Sequence, residues 1–271
     1  MRIAIDHETQ YRYDQPASYG VQEVRLTPRD NECQNVIEWA IDMPGLHGAG
    51  KYEDADGNLV HLVNQLKPRD SLVIRVSGVV ETRENGGVTG LASAGARDQI
   101  YTRQTELTQP GAQLRRTASK FDGSADAEVS LFHAIMDSIR ELMTFDTGQT
   151  DAQTTAEQAL REGHGVCQDF SHIFIGICRS LGIPARYVTG YLAMGDGQEV
   201  AEAHHAWAEA LVSGLGWVGF DAANGICPDE RYVRLSCGRD AAGAAPVRGI
   251  RRGAGNESLS VKVYAAEQPQ Q

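Results

Sequence analysis

The chain has 271 residues, of which 41% are hydrophobic, and a formal net charge of −11 at pH 7. This length suits one large or two modest globular domains, with enough apolar residues for an ample core. The acidic balance argues against nucleic acid as a partner, and the lack of an apolar run of roughly 18 residues argues against a membrane span.

The cysteines bear on the compartment in which the chain works. There are five, at positions 33, 167, 178, 227 and 237, and no two are spaced as Cys-x-x-Cys. An odd number without such a pair indicates neither a disulfide framework nor a zinc ribbon. The first eight residues also lack the apolar segment of a secretory signal. We therefore expect a reducing, cytoplasmic setting.

Residues 1–95 have the pattern of short strands joined by turns. Stretches rich in Val, Ile, Tyr and Thr cover residues 2–13, 20–26, 35–42, 59–64 and 71–81. Turn signals such as Asp-Gly separate them, and no helical period intervenes. The pattern predicts a small β-sandwich as the first domain. A glycine-rich stretch, residues 85–96, is predicted as a linker or a surface crossing, and residues 96–271 are predicted as a second domain.

Helical periods begin after this linker. Residues 111–120 predict a short helix, and residues 125–143 predict a longer one with a continuous apolar face. A third helix is predicted within residues 151–163, with Thr154 or Thr155 as its candidate N-cap. Its expected role is to deliver the chain to the segment that follows.

That segment, residues 163–184, is the one around which the chain is organised. Apolar side chains recur at positions 170, 173, 174, 177, 178 and 181. This stripe predicts an amphipathic helix that begins at Cys167 and ends before Pro184. The free N–H groups and the dipole at a helix N-terminus stabilise a thiolate and can bind an oxyanion. Cys167 is therefore a candidate nucleophile, whereas Cys178 is interpreted as a buried, inert thiol.

Strands follow the helix. Residues 185–191 predict the first, and large and small side chains then alternate from His205 to Leu211, as in a strand packed on both faces. Residues 217–221 follow as its antiparallel partner. The tail, residues 232–266, contains two or three more candidate strands. Helices followed by an antiparallel sheet make the second domain α+β.

A thiol nucleophile needs a base, and the base needs an acceptor that orients it. His205 and Asp221, on neighbouring strands, can supply both if their side chains share one face of the sheet. A four-residue turn would place them on opposite faces. A three- or five-residue turn places Asp221 opposite Trp207, which makes His205 its diagonal neighbour. A triad with Cys167 therefore predicts a turn of odd length or an equivalent bulge.

These residues also have purely structural interpretations. Asp221 could cap the turn that follows its strand, and His204 projects to the face opposite His205 as a solvent-exposed or supporting histidine. A zinc site of Cys167, His204 and His205 is disfavoured, because adjacent residues of a strand point apart. No metal site is predicted.

Four stretches in the second half of the chain share one pattern. They are Gly163-x-Gly-Val-Cys167-Gln-Asp-Phe, Leu181-Gly-Ile-Pro-Ala-Arg186-Tyr-Val-x-Gly-Tyr191, His205-Ala-Trp-x-Glu209 and Gly216-Trp-Val-x-Phe-Asp221. This pattern resembles the transglutaminase-like superfamily over residues 120–265. Residues 1–95 are similar to the N-terminal β-domain of its bacterial members, which are often assigned as cysteine proteases. Where the family has Asp-Pro-Thr-Asn, this chain has Asp221-Ala-Ala-Asn224.

The resemblance implies a papain-like core, in which N-terminal helices pack on an antiparallel sheet. It implies that Cys167 is the nucleophile, that His205 is first the base and then the acid, and that Asp221 orients His205. The implied substrate is a peptide or protein, with glutamine-containing peptides as candidates, and these steps require no metal or organic cofactor. The leading interpretation is a hydrolase of peptide or amide bonds that works through a thioester.

Two alternatives stay open. A transamidase would pass the same acyl group to an amine instead of water, and the sequence does not distinguish the two. A non-catalytic protein-binding module could keep the core without the chemistry, although the presence of all three triad residues argues against it.

Overall fold

The structure, a computed structural model, describes residues 1–90, 98–123, 128–193, 204–253 and 255–268. The described residues form fifteen strands and four α-helices. The strands are β1 (Arg2–Ala17), β2 (Tyr19–Thr27), β3 (Gln34–Asp42), β4 (Gly50–Glu53), β5 (Leu59–Gln65), β6 (Arg69–Thr82), β7 (Val88–Gly90), β8 (Thr144–Phe145), β9 (His164–Gly165), β10 (Ala185–Leu192), β11 (His205–Val212), β12 (Gly216–Phe220), β13 (Tyr232–Gly238), β14 (Val247–Arg252) and β15 (Glu257–Glu267). The helices are α1 (Ala112–Ala118), α2 (Val129–Leu142), α3 (Ala156–Glu162) and α4 (Cys167–Ser180). The fold class is α+β, as predicted.

The first strands form the predicted β-sandwich. Its two antiparallel sheets have the strand orders β15-β1-β6-β3 and β14-β2-β5-β4. Alternating side chains on each strand point into the space between the sheets, as a period of two requires. On β6 these are Leu72, Ile74 and Val76, which are all buried.

The last two strands of the chain complete this sandwich. β15 pairs with β1 along Ile3 to Tyr13, and β14 pairs with β2. In sequence both strands lie within the predicted second domain, residues 96–271, but in space they belong to the first. Without them the outer edges of β1 and β2 would expose unpaired backbone groups. The folded sandwich therefore contains strands from both ends of the chain, and a boundary at residue 95 does not enclose all of them.

The core sheet is antiparallel and has the strand order β13-β10-β11-β12-β7. Its edge strand β7 lies within the stretch that was predicted as a linker, residues 85–96. From residue 91 onward that stretch lies outside the described residues. Here the prediction was incomplete, because three residues are too few to show a strand period in a sequence.

The predicted helices are confirmed, with small shifts at their ends. Thr155 is the N-cap of α3, and its hydroxyl accepts a hydrogen bond from the backbone N–H of Gln158 at 3.3 Å. α2 begins at Val129, and residues 125–127 of its predicted range lie outside the described residues. None of the helices in the described parts of the chain is both long and apolar enough to cross a membrane.

Helix α4 packs closely on the core sheet because β11 presents mainly alanine side chains to it. Ala206, Ala208 and Ala210 of β11 lie in the same buried cluster as the apolar stripe of α4. Within that cluster the ring of Phe174 stacks on Phe220 of β12, with a centroid separation of 5.4 Å. The predicted alternation along β11 is thus confirmed. The alanine face carries the helix, and the other face carries the large side chains.

The sandwich and the core sheet share part of their apolar interior. Tyr191, Val233 and Leu235 of the core sheet are buried in the same cluster as Ile3 and Leu26 of the sandwich. Burial of this shared surface stabilises the contact by about 25 cal/mol for each Å² of apolar area removed from water. The two units are therefore expected to unfold together.

A buried charge cluster lies on the side of β11 that faces away from α4. The carboxylate of Glu209 is fully buried and accepts hydrogen bonds from Nε of Arg186 at 2.6 Å and from Nε of Arg234 at 2.8 Å. Burial alone would raise the pKa of Glu209, but the two guanidinium groups outweigh it and lower the pKa to about 2. The guanidinium of Arg186 also lies 4.0 Å from the ring centroid of Trp217.

Replacing Glu209 by alanine should therefore destabilise the fold by about 3 to 5 kcal/mol, because it leaves two buried guanidinium groups without their counter-charge. Denaturant unfolding measures this free energy directly. Glu8→Ala is the matched control, because Glu8 pairs with Arg75 at 2.8 Å on the exposed surface. That change should cost less than about 1 kcal/mol. Equal losses in the two variants would contradict a structural role for the buried cluster.

Candidate active site

Cys167 is the first residue of α4, as predicted. The loop before it is shaped by two glycines. Gly163 ends α3 in the left-handed region, with φ of +77°, where a side chain would be strained. At Gly165 a Cβ atom would lie only 2.8 Å from Cβ of Asp169. The glycines therefore allow the chain to turn closely onto the start of the helix that carries the thiol.

Asp169 fixes this turn. Its Oδ2 accepts a hydrogen bond from the backbone N–H of Val166 at 2.8 Å and another from the hydroxyl of Thr150 at 2.7 Å. This satisfies one of the backbone donors that a helix N-terminus leaves unpaired. These hydrogen bonds make Asp169 a positioning residue for the Cys167 loop.

His205 and Asp221 are brought together by the hairpin of β11 and β12. Val212 pairs with Gly216, so the turn contains three residues. Gly214 and Gly216 have φ of +77° and +85°, which a glycine adopts without strain. The predicted odd-length turn is confirmed. Both side chains lie on one face, and Nε2 of His205 is 2.6 Å from Oδ2 of Asp221.

The carboxylate of Asp221 is held by several donors besides His205. Its Oδ2 also accepts hydrogen bonds from the hydroxyl of Tyr232 and from Nδ2 of Asn224, each at 2.7 Å. Its Oδ1 accepts from the backbone N–H groups of Ala223 at 3.0 Å and Asn224 at 3.2 Å. Burial alone would raise the pKa of Asp221, but His205 and these donors lower it. The group is therefore a fixed anion at neutral pH, and it also caps its own turn as the structural interpretation predicted.

The ring of His205 lies between Asp221 and Cys167. Burial alone would lower the pKa of His205, but the carboxylate of Asp221 and the thiol of Cys167 outweigh burial and raise it to about 10. Because Nε2 is engaged by Asp221, Nδ1 is the ring nitrogen left for the thiol. The raised pKa favours the imidazolium form of His205 at neutral pH, and Cys167 lies at the N-terminal end of α4, where the helix dipole favours negative charge.

The competing histidine, His204, points away from the site. Its ring centroid lies 4.5 Å from that of His7 in the sandwich and 5.4 Å from that of Tyr191. Burial and the neighbouring His7 lower the pKa of His204 to about 3. It is packed between the two units of the fold and does not point to solvent. His204 and His205 diverge, as the strand argument required.

Cys178 is not part of the site. Cys178 is fully buried, and burial raises the pKa of its thiol. Among the residues that the structure describes, no three His, Cys, Asp or Glu side chains are grouped so as to hold a metal ion. Tyr232 is the contributor that sequence reasoning missed. It lies on β13, eleven residues after Asp221, and no motif links the two.

If Cys167, His205 and Asp221 act as the predicted triad, Tyr232→Phe should lower kcat/KM by about 10- to 100-fold, because it removes one hydrogen bond to a charged carboxylate, worth about 1.5 to 3 kcal/mol. The ring and its packing stay. The alkaline limb of the pH profile should also shift, which a loss of packing alone would not cause. Tyr52→Phe removes a comparable hydroxyl–carboxylate bond, to Glu23 at 2.9 Å, from the surface of the sandwich. It should leave both quantities unchanged, and a matching loss in this control would contradict the role of Tyr232.

Comparison with known proteins identifies the family to which the chain belongs. The family model for the transglutaminase-like superfamily matches residues 115–222, and the model for the bacterial transglutaminase-like N-terminal region matches residues 3–81. An uncharacterized protein of Mycobacterium leprae is 30% identical over 274 residues, which cover 97% of each chain. The chain belongs to the transglutaminase-like superfamily. An uncharacterized protein of Mycobacterium tuberculosis is 26% identical over 275 residues, covering 92% of this chain and 87% of the other.

A solved structure shares the fold of the whole chain. A crystal structure described as "a Putative Cysteine Protease from Cytophaga hutchinsonii" superimposes with a TM-score of 0.77 at 24% identity, covering 100% of this chain and 92% of that one. At this identity the likeness concerns the fold alone. It includes the sandwich as well as the core, so this transglutaminase-like chain and its structural relative share the same two-part architecture.

Proposed function

We propose that this transglutaminase-like protein is a cysteine-dependent hydrolase of peptide or amide bonds, with Cys167, His205 and Asp221 as its catalytic triad. One observation carries the proposal. The ring of His205 is held at 2.6 Å by the buried carboxylate of Asp221 and lies beside the thiol at the N-terminus of α4. A nucleophile, a base and an orienting acceptor are therefore adjacent in the order that acyl transfer needs.

In the first half-reaction, Nδ1 of His205 holds the proton of the Cys167 thiol, and the sulfur attacks the carbonyl carbon of the substrate. The carbonyl π electrons move to oxygen, and the backbone N–H of Cys167, which is free at the start of α4, donates a hydrogen bond to that oxyanion. The oxyanion then collapses, and the C–N bond breaks while His205 gives its proton to the departing amine. The products are a free amine and a thioester on Cys167.

In the second half-reaction, water attacks the thioester carbonyl carbon while His205 accepts one of its protons. The new tetrahedral intermediate collapses by breaking the C–S bond. A carboxylic acid leaves, and the sulfur regains the negative charge that the imidazolium balances. Asp221 keeps the ring oriented through both steps and stays ionised throughout, because the same donors that position it also lower its pKa.

A transamidase would follow the same first half-reaction and let an amine attack the thioester. The experiment that separates the two gives the protein a glutamine-containing peptide together with putrescine. Mass spectrometry then measures free acid and amine adduct in the same sample. We expect release of the acid to dominate. Adduct formation that outpaces acid release would assign the protein as a transamidase.

The non-catalytic alternative makes a different prediction about thiol reactivity. An activated Cys167 should react with iodoacetamide at mildly acidic pH, where ordinary thiols are protonated. Burial and nearby acidic groups raise the pKa of Cys33 and of Cys227 to about 11, and these two thiols serve as internal controls. Labelling of Cys167 no faster than these controls would favour a binding module.

The proposed chemistry needs a reduced thiol. The five cysteines are all unpaired in the structure, which fits a chain that works in a reducing compartment such as the cytoplasm. The substrate that we propose is a peptide or protein, and no step in the proposed mechanism requires a metal ion or organic cofactor.

A further inference from the structure

The β-sandwich contains a cavity of about 320 Å³ that the triad does not use. The residues that line it come from β1, β2, β6, β14 and β15. β14 and β15 are the edge strands of the two sheets, so no further strand of the described chain closes the sandwich at this side. The volume lies at the lower end of the range for small-molecule sites, about 300 to 1,000 Å³.

The walls of this cavity are about half polar and half apolar, and the apolar half includes aromatic rings. Leu72 is buried in the interior, and the rings of Tyr11 and Tyr13 line one side. Ile250 and Leu259 belong to the same lining and are 73% and 57% exposed. Large apolar side chains that remain this exposed around a concave site would gain from being covered by an apolar ligand.

Gln22 adds a specific polar group. Its side chain lines the cavity, the residue is only 8% exposed, and its Oε1 has no hydrogen-bond partner among the described residues. A buried acceptor without a partner is unfavourable unless a ligand or water satisfies it. A carboxamide both donates and accepts, so another amide group is the partner that satisfies it best.

A small second chamber adjoins the cavity and shares Tyr13, Gln22 and Arg251 with it. Its lining also includes Arg69, whose Nε is buried and has no partner in the described parts of the chain. Arg251 is balanced by Glu257, with Nε and Oε2 3.2 Å apart. The unbalanced charge here is therefore positive. A guanidinium favours a carboxylate, and the chamber, at about 10 Å³, has room for one carboxylate oxygen while the rest of the ligand lies in the larger cavity.

We propose that this cavity binds the carboxyl-terminal residue of a peptide that ends in a bulky apolar side chain. The side chain fills the space beside Tyr11 and Tyr13, the last amide of the peptide pairs with Gln22, and the terminal carboxylate binds Arg69. An internal peptide segment lacks the carboxylate, and a free amino acid lacks the amide. The site is separate from Cys167, and it stands whether the triad hydrolyses, transfers or does neither.

Isothermal titration calorimetry with two matched probes tests the proposal. N-acetyl-L-phenylalanine carries the ring, the amide and the carboxylate, whereas N-acetyl-L-phenylalaninamide replaces the carboxylate by a neutral amide. Both are titrated into Cys167→Ala protein, so that turnover cannot contribute. We expect the acid to bind at least about tenfold more tightly, because only the acid makes a charge-assisted pair with Arg69.

Two variants locate the effect. Arg69→Gln should weaken binding of the acid by at least about tenfold and abolish its advantage over the amide. Gln22→Leu should weaken both probes by similar factors, because both contain the amide that Gln22 recognises. Arg12→Gln is the control, since it removes one positive charge from the exposed face of β1 and should leave both affinities unchanged.

Several outcomes would overturn the proposal. They are equal affinities for acid and amide, no binding of either at about 10 mM, and loss of discrimination in Arg12→Gln as well as in Arg69→Gln. Amide chemical-shift mapping on Cys167→Ala protein gives a second readout that needs no variant of the cavity. Shifts confined to β1, β2 and β14 support the site, and shifts centred on the core sheet contradict it.

Discussion

Cys167→Ala protein should hydrolyse an amide substrate at least about 10⁴-fold more slowly than the wild type, with its melting temperature nearly unchanged. The loss is large because no other group can form the thioester, and only binding and the oxyanion donor would remain. The fold should tolerate the change because Cys167 is partly exposed at a helix end and removal of one sulfur atom leaves no large cavity. Initial rates and thermal unfolding on the same preparation measure both quantities.

Cys33→Ala is the matched control for this prediction. Cys33 is partly exposed like Cys167, but its thiol donates to the carbonyl oxygen of Val88 at 2.8 Å and lies far along the chain from the triad. Its loss should leave the rate unchanged. Wild-type turnover in Cys167→Ala would refute the thioester mechanism, and an equal drop in Cys33→Ala would indicate that the assay responds to stability.

The parts of the site that depend on local chain geometry could be predicted from the sequence. The apolar period predicts which side of α4 faces the sheet, and Cys167 is the first residue of that stripe, so the sequence places the thiol at the start of the helix. The relation between His205 and Asp221 follows from turn parity, because successive strand residues point to opposite faces. The three-residue turn found between Val212 and Gly216 satisfies that condition.

Contacts between distant parts of the chain could not be predicted in this way. Tyr232 reaches Asp221 from another strand, and the period of β13 does not specify what its first residue will meet. β15 joins β1 across more than 240 residues, and only the need to cover an exposed sheet edge explains why. Local periodicity predicts which faces of an element are buried, whereas strand order depends on which edges remain to be paired.

Asp221→Asn should lower kcat by between about 10² and 10⁴-fold and should shift the pH dependence of what remains. The asparagine side chain keeps the size of the aspartate, and its carbonyl can still accept from the His205 ring. It cannot balance the imidazolium charge that forms during acylation. The loss in kcat should be about 10²-fold if Asp221 acts mainly by orienting the His205 ring, and about 10⁴-fold if it acts mainly by balancing the charge of the imidazolium.

The sign of the pH effect follows from the raised pKa of His205. In the wild type the imidazolium persists until the pH rises through about 10, so the proton donor for the leaving amine should be lost only above that value. The raised pKa also contributes stability that is fully present below the unfolded pKa of about 6.5 and is lost as the pH rises through about 10. Removing the carboxylate charge lowers the pKa, so both the alkaline limb of activity and the alkaline loss of stability should move to lower pH.

Profiles of kcat/KM between about pH 6 and about pH 11 test this prediction, because this range includes the pKa of His205 in both the unfolded and the folded protein. Melting temperatures are measured at the same pH values. Asp54→Asn is the control, because Asp54 is also a carboxylate whose pKa is lowered despite its burial, and its partner is Arg25 of the sandwich at 2.9 Å. This variant should lose stability but keep the wild-type position of the alkaline limb. If Asp221→Asn kept that position too, the raised pKa of His205 would have to come from Cys167 alone, and Asp221 would act only by orienting the ring.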